Sequence, residues 1–299
     1  MIDPRRLRIL QAVAAHGSVA AAAGALHLTP PAVSQQLLAL ERETGASLID
    51  RAGRRVTLTA AGRLLAGHGE RIAAQLRQAE RDLAELTGQA TGPVRLAAFQ
   101  SVMSPLIAPA LRILAAAHPA IRPAVTECYG PGAVAALRRG DLDIVLTEYD
   151  AASCPPAETG LGLRRLAFDP YRLVIPPGWQ LTVRSLRDLA GRPWVAGPPG
   201  TACDSALQRL AAEADLTIPA GDVCVEFPSV LALVAAGRGA AIVPQLTLGQ
   251  SPVTVCAVPP LGGRHIAAWY PAGPGQPAPA TATVLDTLAQ AGLIRADGG

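Results

Sequence analysis

Two short segments near the N-terminus, each preceded by a capping residue, constrain this chain more than any other feature. Ser18 precedes residues 19–25, which are mostly alanine, and Thr29 precedes a segment with an apolar residue at every third or fourth position. The members of this apolar stripe are Val33, Leu37 and Leu40. Serine and threonine are favoured N-caps. Because only residues 26–29 separate the segments, the pattern predicts two helices joined by a tight turn, a helix-turn-helix.

A helix precedes this motif and a short hairpin follows it. Asp3, followed by proline, is expected to start the first helix, and Gly17 is expected to end it. Residues 48–58 predict a two-stranded wing, because Gly53 permits a turn and the residues after it favour strand. Residues 1–58 are therefore predicted to form a winged helix-turn-helix, which is all-α apart from the wing.

A long helix is predicted next, over residues 59–88, with Thr59 as its cap. Apolar residues repeat in it every seven positions, and two further leucines lie in the complementary position. These residues are Leu65, Ile72, Ala79 and Leu86, with Leu76 and Leu83. Such a seam is typical of a two-stranded coiled coil, so this linker helix is predicted to mediate dimerisation. Gly62, Gly67 and Gly69 weaken the helix in its first half.

The net positive charge of the chain lies in its N-terminal third. Residues 1–92 contain 11 arginines and 8 acidic residues, whereas residues 93–299 contain 15 of each. This distribution is expected if only the first third meets a polyanion. An excess of three charges is small, so it supports the motif and does not replace it.

The rest of the chain predicts an α/β domain. Residues 89–93 contain glycine and proline among small residues and are expected to form a hinge. Strand and helix patterns then alternate over residues 94–295, which favours a mostly parallel sheet. The first helix of this domain is predicted to start at Ser104, and a strand that begins at residue 142 is predicted to end at residues 147–148.

The helix-turn-helix also resembles a known family. Residues 16–37 read HGSVAAAAGALHLTPPAVSQQL, and Gly45, Arg51 and Thr59 follow at matching spacing. This pattern closely resembles the LysR-type transcriptional regulators over residues 2–65. The chain departs from the family pattern at Pro30, where many relatives have glutamine, and at Ile49, where an aromatic residue is usual. The first departure concerns the operator sequence that is read, and the second concerns core packing.

The expected DNA contacts follow from side-chain chemistry and agree with the resemblance. Glutamine pairs with adenine, serine and threonine donate to phosphate, and wing arginines follow the backbone or enter the minor groove. The predicted DNA-binding residues are Ser18, Thr29, Pro31, Ser34, Gln35, Arg51, Arg54 and Arg55. Two further polar residues of the same predicted helix have alternative explanations. Gln36 would simply be solvated, and Arg42 would pair with Glu41, with Asp50 or with phosphate.

The resemblance implies a two-lobed effector domain similar to periplasmic solute-binding proteins. Lobe one would comprise about residues 94–163 and 268–292, and lobe two about residues 164–265. Ligands of open α/β sheets bind at the carboxyl ends of strands, near helix N-termini. The predicted effector-binding residues are Ser101, Thr147, Thr201 and Phe227.

Two questions about this pocket stay open from the sequence. Ser101 and Thr201 are equally explained as helix caps without a ligand. Helix N-termini favour an anion, so a small carboxylate or an amino-acid-like metabolite is the first expectation, but Glu148 and Glu226 would equally select an amine.

The cysteines and histidines indicate neither a metal site nor an active site. Five cysteines show no CxxC spacing, and five histidines are scattered without a GxSxG motif or a phosphate loop. No catalytic residue, metal or cofactor is therefore predicted. Cys203, at a predicted helix start, is either a structural thiol or a redox-sensing one.

The expected setting is that of a bacterial regulator, although a solute-binding protein with an accessory domain and an enzyme on the α/β domain are alternatives. The N-terminus lacks a signal-peptide pattern and no apolar stretch predicts a membrane span, so a cytoplasmic protein without a membrane partner is expected. The predicted partners are double-stranded operator DNA, a small-molecule effector and, for an activator, RNA polymerase. A homodimer or homotetramer is predicted through the linker helix and the effector domains.

Overall fold

The computed structural model describes residues 2–50, 56–87, 90–128, 131–153, 155, 158, 160–219, 221–272 and 277–296. The chain divides into two units, Met1–Leu83 and Ala84–Gly299. Each unit has hydrophobic core clusters of its own.

Three helices form the first unit, as the capping pattern predicts. They are α1 (Pro4–His16), α2 (Val19–Ala25) and α3 (Pro30–Thr44). The side chains of Asp3, Ser18 and Thr29 each accept a hydrogen bond from a backbone N–H in the first turn of the helix that they precede. Gly17 and Gly45 follow α1 and α3 in the left-handed conformation, which glycine adopts without steric cost. The predicted starts and ends of these helices are confirmed.

A wing and a long helix complete this unit. Strands β1 (Ile49–Asp50) and β2 (Thr57–Leu58) pair antiparallel. Helix α4 (Ala60–Thr87) follows, and the Thr59 hydroxyl accepts from the Gly62 N–H at 3.0 Å and donates to the Ser47 carbonyl at 2.7 Å. A Cβ at Gly62 would lie 2.0 Å from the Leu48 carbonyl oxygen. Because α4 approaches the wing so closely there, glycine is required at this position despite its low helix propensity.

The second unit is built around one large sheet. Its elements in chain order are β3 (Gly92–Ala98), α5 (Gln100–Val102), a π-turn (Met103–Ile107), α6 (Ala108–Ala117), β4 (Ile121–Glu127), α7 (Pro131–Arg138), β5 (Ile144–Asp150), β6 (Leu161–Ile175), β7 (Val195–Ala196), α8 (Ala202–Glu213), β8 (Asp222–Val223), α9 (Phe227–Ala235), β9 (Ala241–Pro244), β10 (Thr254–Val255), β11 (Gly263–Pro271) and α10 (Pro279–Ala296). Short 3-10 turns lie at Leu186–Leu189 and Gln245–Thr247.

The large sheet is mixed, so the prediction of a mostly parallel sheet is wrong. Its strand order is β10-β6-β11-β5-β3-β4, with β9 also paired to β6. Only the pairs of β3 with β4 and with β5 are parallel, whereas β6 and β11 make antiparallel pairs with all their neighbours. The reason is that β6 and β11 are long crossover strands that run in opposite directions between two lobes.

The two lobes have separate cores. The first contains Leu166 and Ile266 together with residues from β3, β5, α6 and α10, and the second contains Tyr171 and Leu261. Both crossover strands therefore change lobes between residues 166 and 171 and between residues 261 and 266. The sequence expectation placed these changes near 163 and 268. Periodicity does not show where along a continuous strand the packing partner changes.

The first helix of this unit starts earlier than predicted. It begins at Gln100 and passes through the π-turn around Pro105, and does not begin at Ser104. Within the described part of the chain, residues 100–117 are the one helical stretch with the length and hydropathy that a membrane span would need. Val102, Leu106 and Leu114 of this stretch pack into the first core, which accounts for its apolar character.

Candidate nucleic-acid interface and effector cavity

Helix α3 buries one face and exposes the other. Val33, Leu37 and Leu40 are at most 1% exposed. Pro31 and Gln35, on the opposite face near the start of the helix, are exposed. A helix that is anchored by one apolar stripe and presents polar groups at its N-terminal end has the form of a recognition helix that enters a DNA major groove.

The turn before α3 and one polar contact fix the orientation of this helix. His27 adopts a left-handed conformation (φ 54°), which is uncommon for a residue other than glycine, and the next N–H, of Leu28, donates to the Ala23 carbonyl at 2.9 Å. Arg6 of α1 donates from Nε to Oε1 of Gln36 at 2.9 Å. Gln36 therefore links α1 to α3, and the expectation that it is solvated is wrong.

The structure brings most of the predicted DNA-binding residues to the start of α2 and α3. Thr29, Pro31 and Gln35 are exposed, whereas Ser34 is half-buried beside them. Ser18 is half-buried as the cap of α2. The wing residues Arg51, Arg54 and Arg55 lie outside the described residues.

Arg42 and Glu41 do not form the ion pair that was one alternative. Arg42 is exposed and donates from Nε to the Leu38 carbonyl at 3.3 Å. The Glu41 carboxylate accepts from the Leu48 N–H at 2.8 Å. Glu41 therefore secures the chain at the start of the wing, and the guanidinium of Arg42 stays on the solvent side of α3.

Helix α4 exposes large apolar side chains along its length. They are Leu64, Ile72, Leu76 and Leu83, and the first and last are more than 60% exposed. Leu65, which the heptad pattern assigned to the seam, is half-buried against the core of its own unit, and Leu64 is exposed instead. The exposed apolar stripe therefore begins with Leu64, whereas the predicted seam begins with Leu65. The side chain of Leu86 lies outside the described residues.

A cavity of about 470 Å³ lies between the two lobes of the second unit. Lobe one contributes Phe99 and Ser101 after β3 and Glu148 on β5, and lobe two contributes residues 197–201 before α8 and residues 224–227 before α9. Three helix starts therefore border one cavity. This is the expected place for a ligand at the carboxyl ends of strands.

Three of the four predicted effector-binding residues line this cavity. They are Ser101, Thr201 and Phe227. Thr147 does not line it, because β5 continues to Asp150 and alternation along a strand turns Glu148 to the cavity and Thr147 to the opposite face. The prediction for Thr147 therefore had the right strand and the wrong face.

The two hydroxyls of the cavity have different roles. Thr201 caps α8: its Oγ1 accepts from the Asp204 N–H at 3.3 Å and donates to the Pro198 carbonyl at 2.9 Å. Ser101 makes no cap hydrogen bond, and its Oγ accepts from Nη1 of Arg264 at 3.0 Å. The helix-cap explanation is therefore confirmed for Thr201 and is wrong for Ser101.

Arg264 is the residue of this site that sequence reasoning missed. Its side chain is fully buried, and it forms ion pairs with Glu148 and with Asp169. Burial raises the pKa of Asp169, although the Arg264 cation opposes this shift. An arginine at the start of an apolar strand was the available signal, since a buried guanidinium requires carboxylate partners.

Cys203 lies at the start of α8 on the cavity wall and is 7% exposed. Burial raises its pKa, and the nearby carboxylate of Glu148 raises it further. The thiolate is the reactive form of cysteine. Burial therefore outweighs the helix N-terminus, and the structural-thiol alternative is favoured over a redox role.

Known proteins resemble this chain over both units. A family model described as "Bacterial regulatory helix-turn-helix protein, lysR family" matches residues 4–63, and one described as "LysR substrate binding domain" matches residues 87–292. The RuBisCO operon transcriptional regulator of Allochromatium vinosum is 32% identical over 246 residues, which cover 81% of this chain and 79% of that protein.

Solved structures share the fold. The crystal structure of CbnR, a LysR family transcriptional regulator, is similar with a TM-score of 0.69 at 22% identity, over 97% of this chain and 99% of that one. A full-length CbnR complexed with its target DNA is similar with a TM-score of 0.56 at 22% identity, over 97% of this chain and 100% of that one. The two-lobed arrangement is therefore shared with solved regulators of this family.

Proposed function

The chain belongs to the LysR family of bacterial DNA-binding transcription regulators and is not an enzyme, and we propose that it reads a partly palindromic operator with paired α3 helices. We further propose that it responds to an amino-acid-like effector. The effector would bind in the cavity between the lobes. Binding would shift the lobes and so change DNA bending. Such a regulator would act in the cytoplasm and, as an activator, would contact RNA polymerase.

One observation carries the DNA-binding part of the proposal: the exposed start of α3, with Thr29, Pro31 and Gln35 on the side opposite the buried stripe. Glutamine presents a donor and an acceptor that match the major-groove edge of adenine. The Ser34 and Thr29 hydroxyls are placed to donate to phosphate at the same end. The wing residues Arg51, Arg54 and Arg55, which lie outside the described residues, keep their predicted role as backbone or minor-groove contacts.

The exposed stripe on α4 supports a paired assembly. Leu64, Ile72, Leu76 and Leu83 are unburied in the single chain. Large apolar side chains in a row on one helix favour burial against a second apolar surface. We assign that surface to α4 of a second copy, which would give a two-fold dimer and present two α3 helices to a palindrome. A tetramer would need further contacts through the effector domains.

The charges around the cavity support an effector that has both an ammonium and a carboxylate group. Glu127, Glu148 and Glu226 line the cavity, and no arginine or histidine in the described part of the chain does so. The N-terminus of the 12-residue helix α8 also borders it, and helix N-termini favour anions. An amino-acid-like zwitterion satisfies both features, whereas a simple carboxylate would face three glutamates.

DNA binding is tested by gel shift of the full-length protein on its own upstream intergenic DNA. We expect a specific complex that weakens steeply as salt rises, because phosphate contacts release counterions. The Ser34→Ala/Gln35→Ala variant should lose preference over scrambled DNA, whereas Gln180→Ala, a matched change on an exposed loop of the second unit, should keep it. A complex with no preference for the upstream DNA would contradict the proposal.

The effector class is tested by thermal unfolding of the full-length protein with the twenty L-amino acids. Each acid that raises the melting temperature is compared with its N-acetyl and amide forms, which lack the ammonium and the carboxylate respectively. The zwitterion requirement predicts that both derivatives give a smaller shift than the parent acid, because each keeps only one of the two charged groups. If the N-acetyl form binds as well as the parent, the effector is a simple carboxylate.

A further inference from the structure

The guanidinium of Arg264 donates hydrogen bonds on two sides. Nε and Nη2 donate to Oδ2 of Asp169 at 3.0 and 2.8 Å. Nη1 donates to Oγ of Ser101 at 3.0 Å and to Oε2 of Glu148. Asp169 is fully buried, whereas Ser101 and Glu148 line the cavity. The cation therefore lies directly behind the cavity wall and reaches the cavity only through its partners.

Aromatic rings from both lobes hold the same cation. The guanidinium carbon lies 5.6 Å from the ring centre of Phe99 and 5.5 Å from that of Phe227. Phe99 belongs to lobe one and Phe227 to lobe two, and both line the cavity. Cation–π attraction strengthens when the cation is desolvated. At the floor of the cavity, aromatic rings and a carboxylate thus form a site for a cation, and the guanidinium of Arg264 already occupies it.

The three glutamates of the cavity are consequently not equivalent. Glu148 is 8% exposed and paired with Arg264. Glu127 and Glu226 are exposed, and within the described residues neither carboxylate has an ion-pair partner. An arginine keeps its charge at every accessible pH, so Glu148 stays paired as long as Arg264 stays in place.

We propose that Arg264 is a specificity-determining residue of the effector cavity, because it occupies Glu148 and leaves only the rim glutamates, Glu127 and Glu226, to bind a cationic group of the effector. The apolar part of the effector then lies against Phe99 and Phe227. Glu148, which is already paired, then offers no site for a second ammonium group. This inference rests on the proposed effector class and adds where in the cavity each end of the ligand binds.

The first test compares the two kinds of glutamate in the full-length protein, with n-butylamine as the probe and calorimetry as the measurement. We expect Glu127→Gln/Glu226→Gln, which removes both rim charges, to weaken binding about twofold to fivefold, as for loss of an exposed ion pair. Glu148→Gln should change it less than about twofold, since Arg264 already pairs with that carboxylate. Equal weakening by both variants would overturn the proposal.

The second test removes the internal cation. In Arg264→Met/Asp169→Asn a neutral side chain replaces the arginine and its buried counter-charge is removed, so Glu148 is left unpaired. We expect 1,4-diaminobutane to bind about tenfold more tightly relative to n-butylamine than it does to the unchanged chain. The conservative variant Arg264→Lys, which keeps the cation, should retain the original ratio. A merely structural role would lower both affinities together and leave the ratio unchanged, which would overturn the proposal.

The two tests remain decisive if one of them fails. If Arg264→Met/Asp169→Asn does not fold, the contrast between Glu127→Gln/Glu226→Gln and Glu148→Gln decides. If the unchanged chain binds neither amine and no amino acid, the proposed effector class is wrong. The role of Arg264 is then decided by whether Arg264→Met/Asp169→Asn acquires diamine binding: acquisition supports it and absence overturns it.

Discussion

The recognition helix and the effector cavity are two functional regions built in opposite ways. The residues predicted to contact DNA on α2 and α3 lie within 18 consecutive positions, from Ser18 to Gln35. The cavity instead joins residues from Phe99 to Ile242, which come from strands and helices of both lobes. The first region is fixed by contacts within a few turns of helix, and the second exists only after the sheet has formed.

The two regions also differ in how far their polar and charged side chains are exposed to water. At the start of α3 the side chains of Thr29 and Gln35 face solvent, where they remain available to a large partner. Behind the cavity a guanidinium and a carboxylate are withdrawn from water completely, at Arg264 and Asp169. Burying such charges is costly unless they are paired, so the cluster must be assembled as a unit. The comparison predicts that changes near α3 act locally and that changes in the cavity act across elements.

The largest effect is expected from shortening a core side chain of α3. Leu37 is 1% exposed, so Leu37→Ala should destabilise the first unit by about 2–5 kcal/mol through lost burial and a cavity. Leu285→Ala, at a fully buried position of α10, should act comparably on the second unit. Hydrogen exchange of the backbone amides of each unit, measured at increasing denaturant concentration, gives the loss of stability for both variants. Equal loss of protection in both units from either change would contradict their independence.

The next effect concerns DNA reading. Gln35→Ala should weaken specific operator binding by about 1–3 kcal/mol while the salt dependence of binding stays the same, because a base contact is lost and no phosphate contact. Gln36→Ala is the matched change one position along and should lower stability, since Gln36 holds Arg6. Fluorescence anisotropy at several salt concentrations, with melting curves, separates the two. A larger loss of specificity for Gln36→Ala would contradict the assignment of faces.

A smaller effect is expected at the cap of α2. Ser18→Ala should destabilise the first unit by about 1 kcal/mol, because the Ala21 N–H loses its acceptor. Ser18→Asp keeps a good cap and should retain stability, but its charge should weaken DNA binding if Ser18 lies near phosphate. Melting curves and gel shifts of the two variants separate capping from DNA contact. If Ser18→Asp bound DNA normally, Ser18 would be a cap alone.

The smallest effect is expected at Cys203. Because burial raises its pKa and keeps the thiol protonated, peroxide should leave operator affinity unchanged in the intact chain and in Cys203→Ala. Peptide mapping after iodoacetamide treatment should show slower labelling of Cys203 than of the half-buried Cys224. A peroxide response that disappears in Cys203→Ala would restore the redox alternative.

Sequence reasoning succeeded where structure depends on near neighbours. The caps at Asp3, Ser18 and Thr29 and the bounds of α1 to α3 agree with prediction because each capping contact spans two or three residues. It failed at the sheet direction, because the alternation of strands and helices does not distinguish a crossover strand from a parallel one. Thr147 was chosen in place of Glu148 because the strand runs farther than its apolar core suggested.

The sequence by itself determined the recognition helix and its exposed face, since helical periodicity and capping act over a few residues. The resemblance of residues 2–65 to a known pattern indicated the family. The tertiary structure alone decided the charge of the effector cavity. Asp169, Glu148 and Ser101 are separated from Arg264 by 95, 116 and 163 residues along the chain. No local pattern encodes such a meeting, because the desolvation that forces these charges to pair arises only when the lobes close over them.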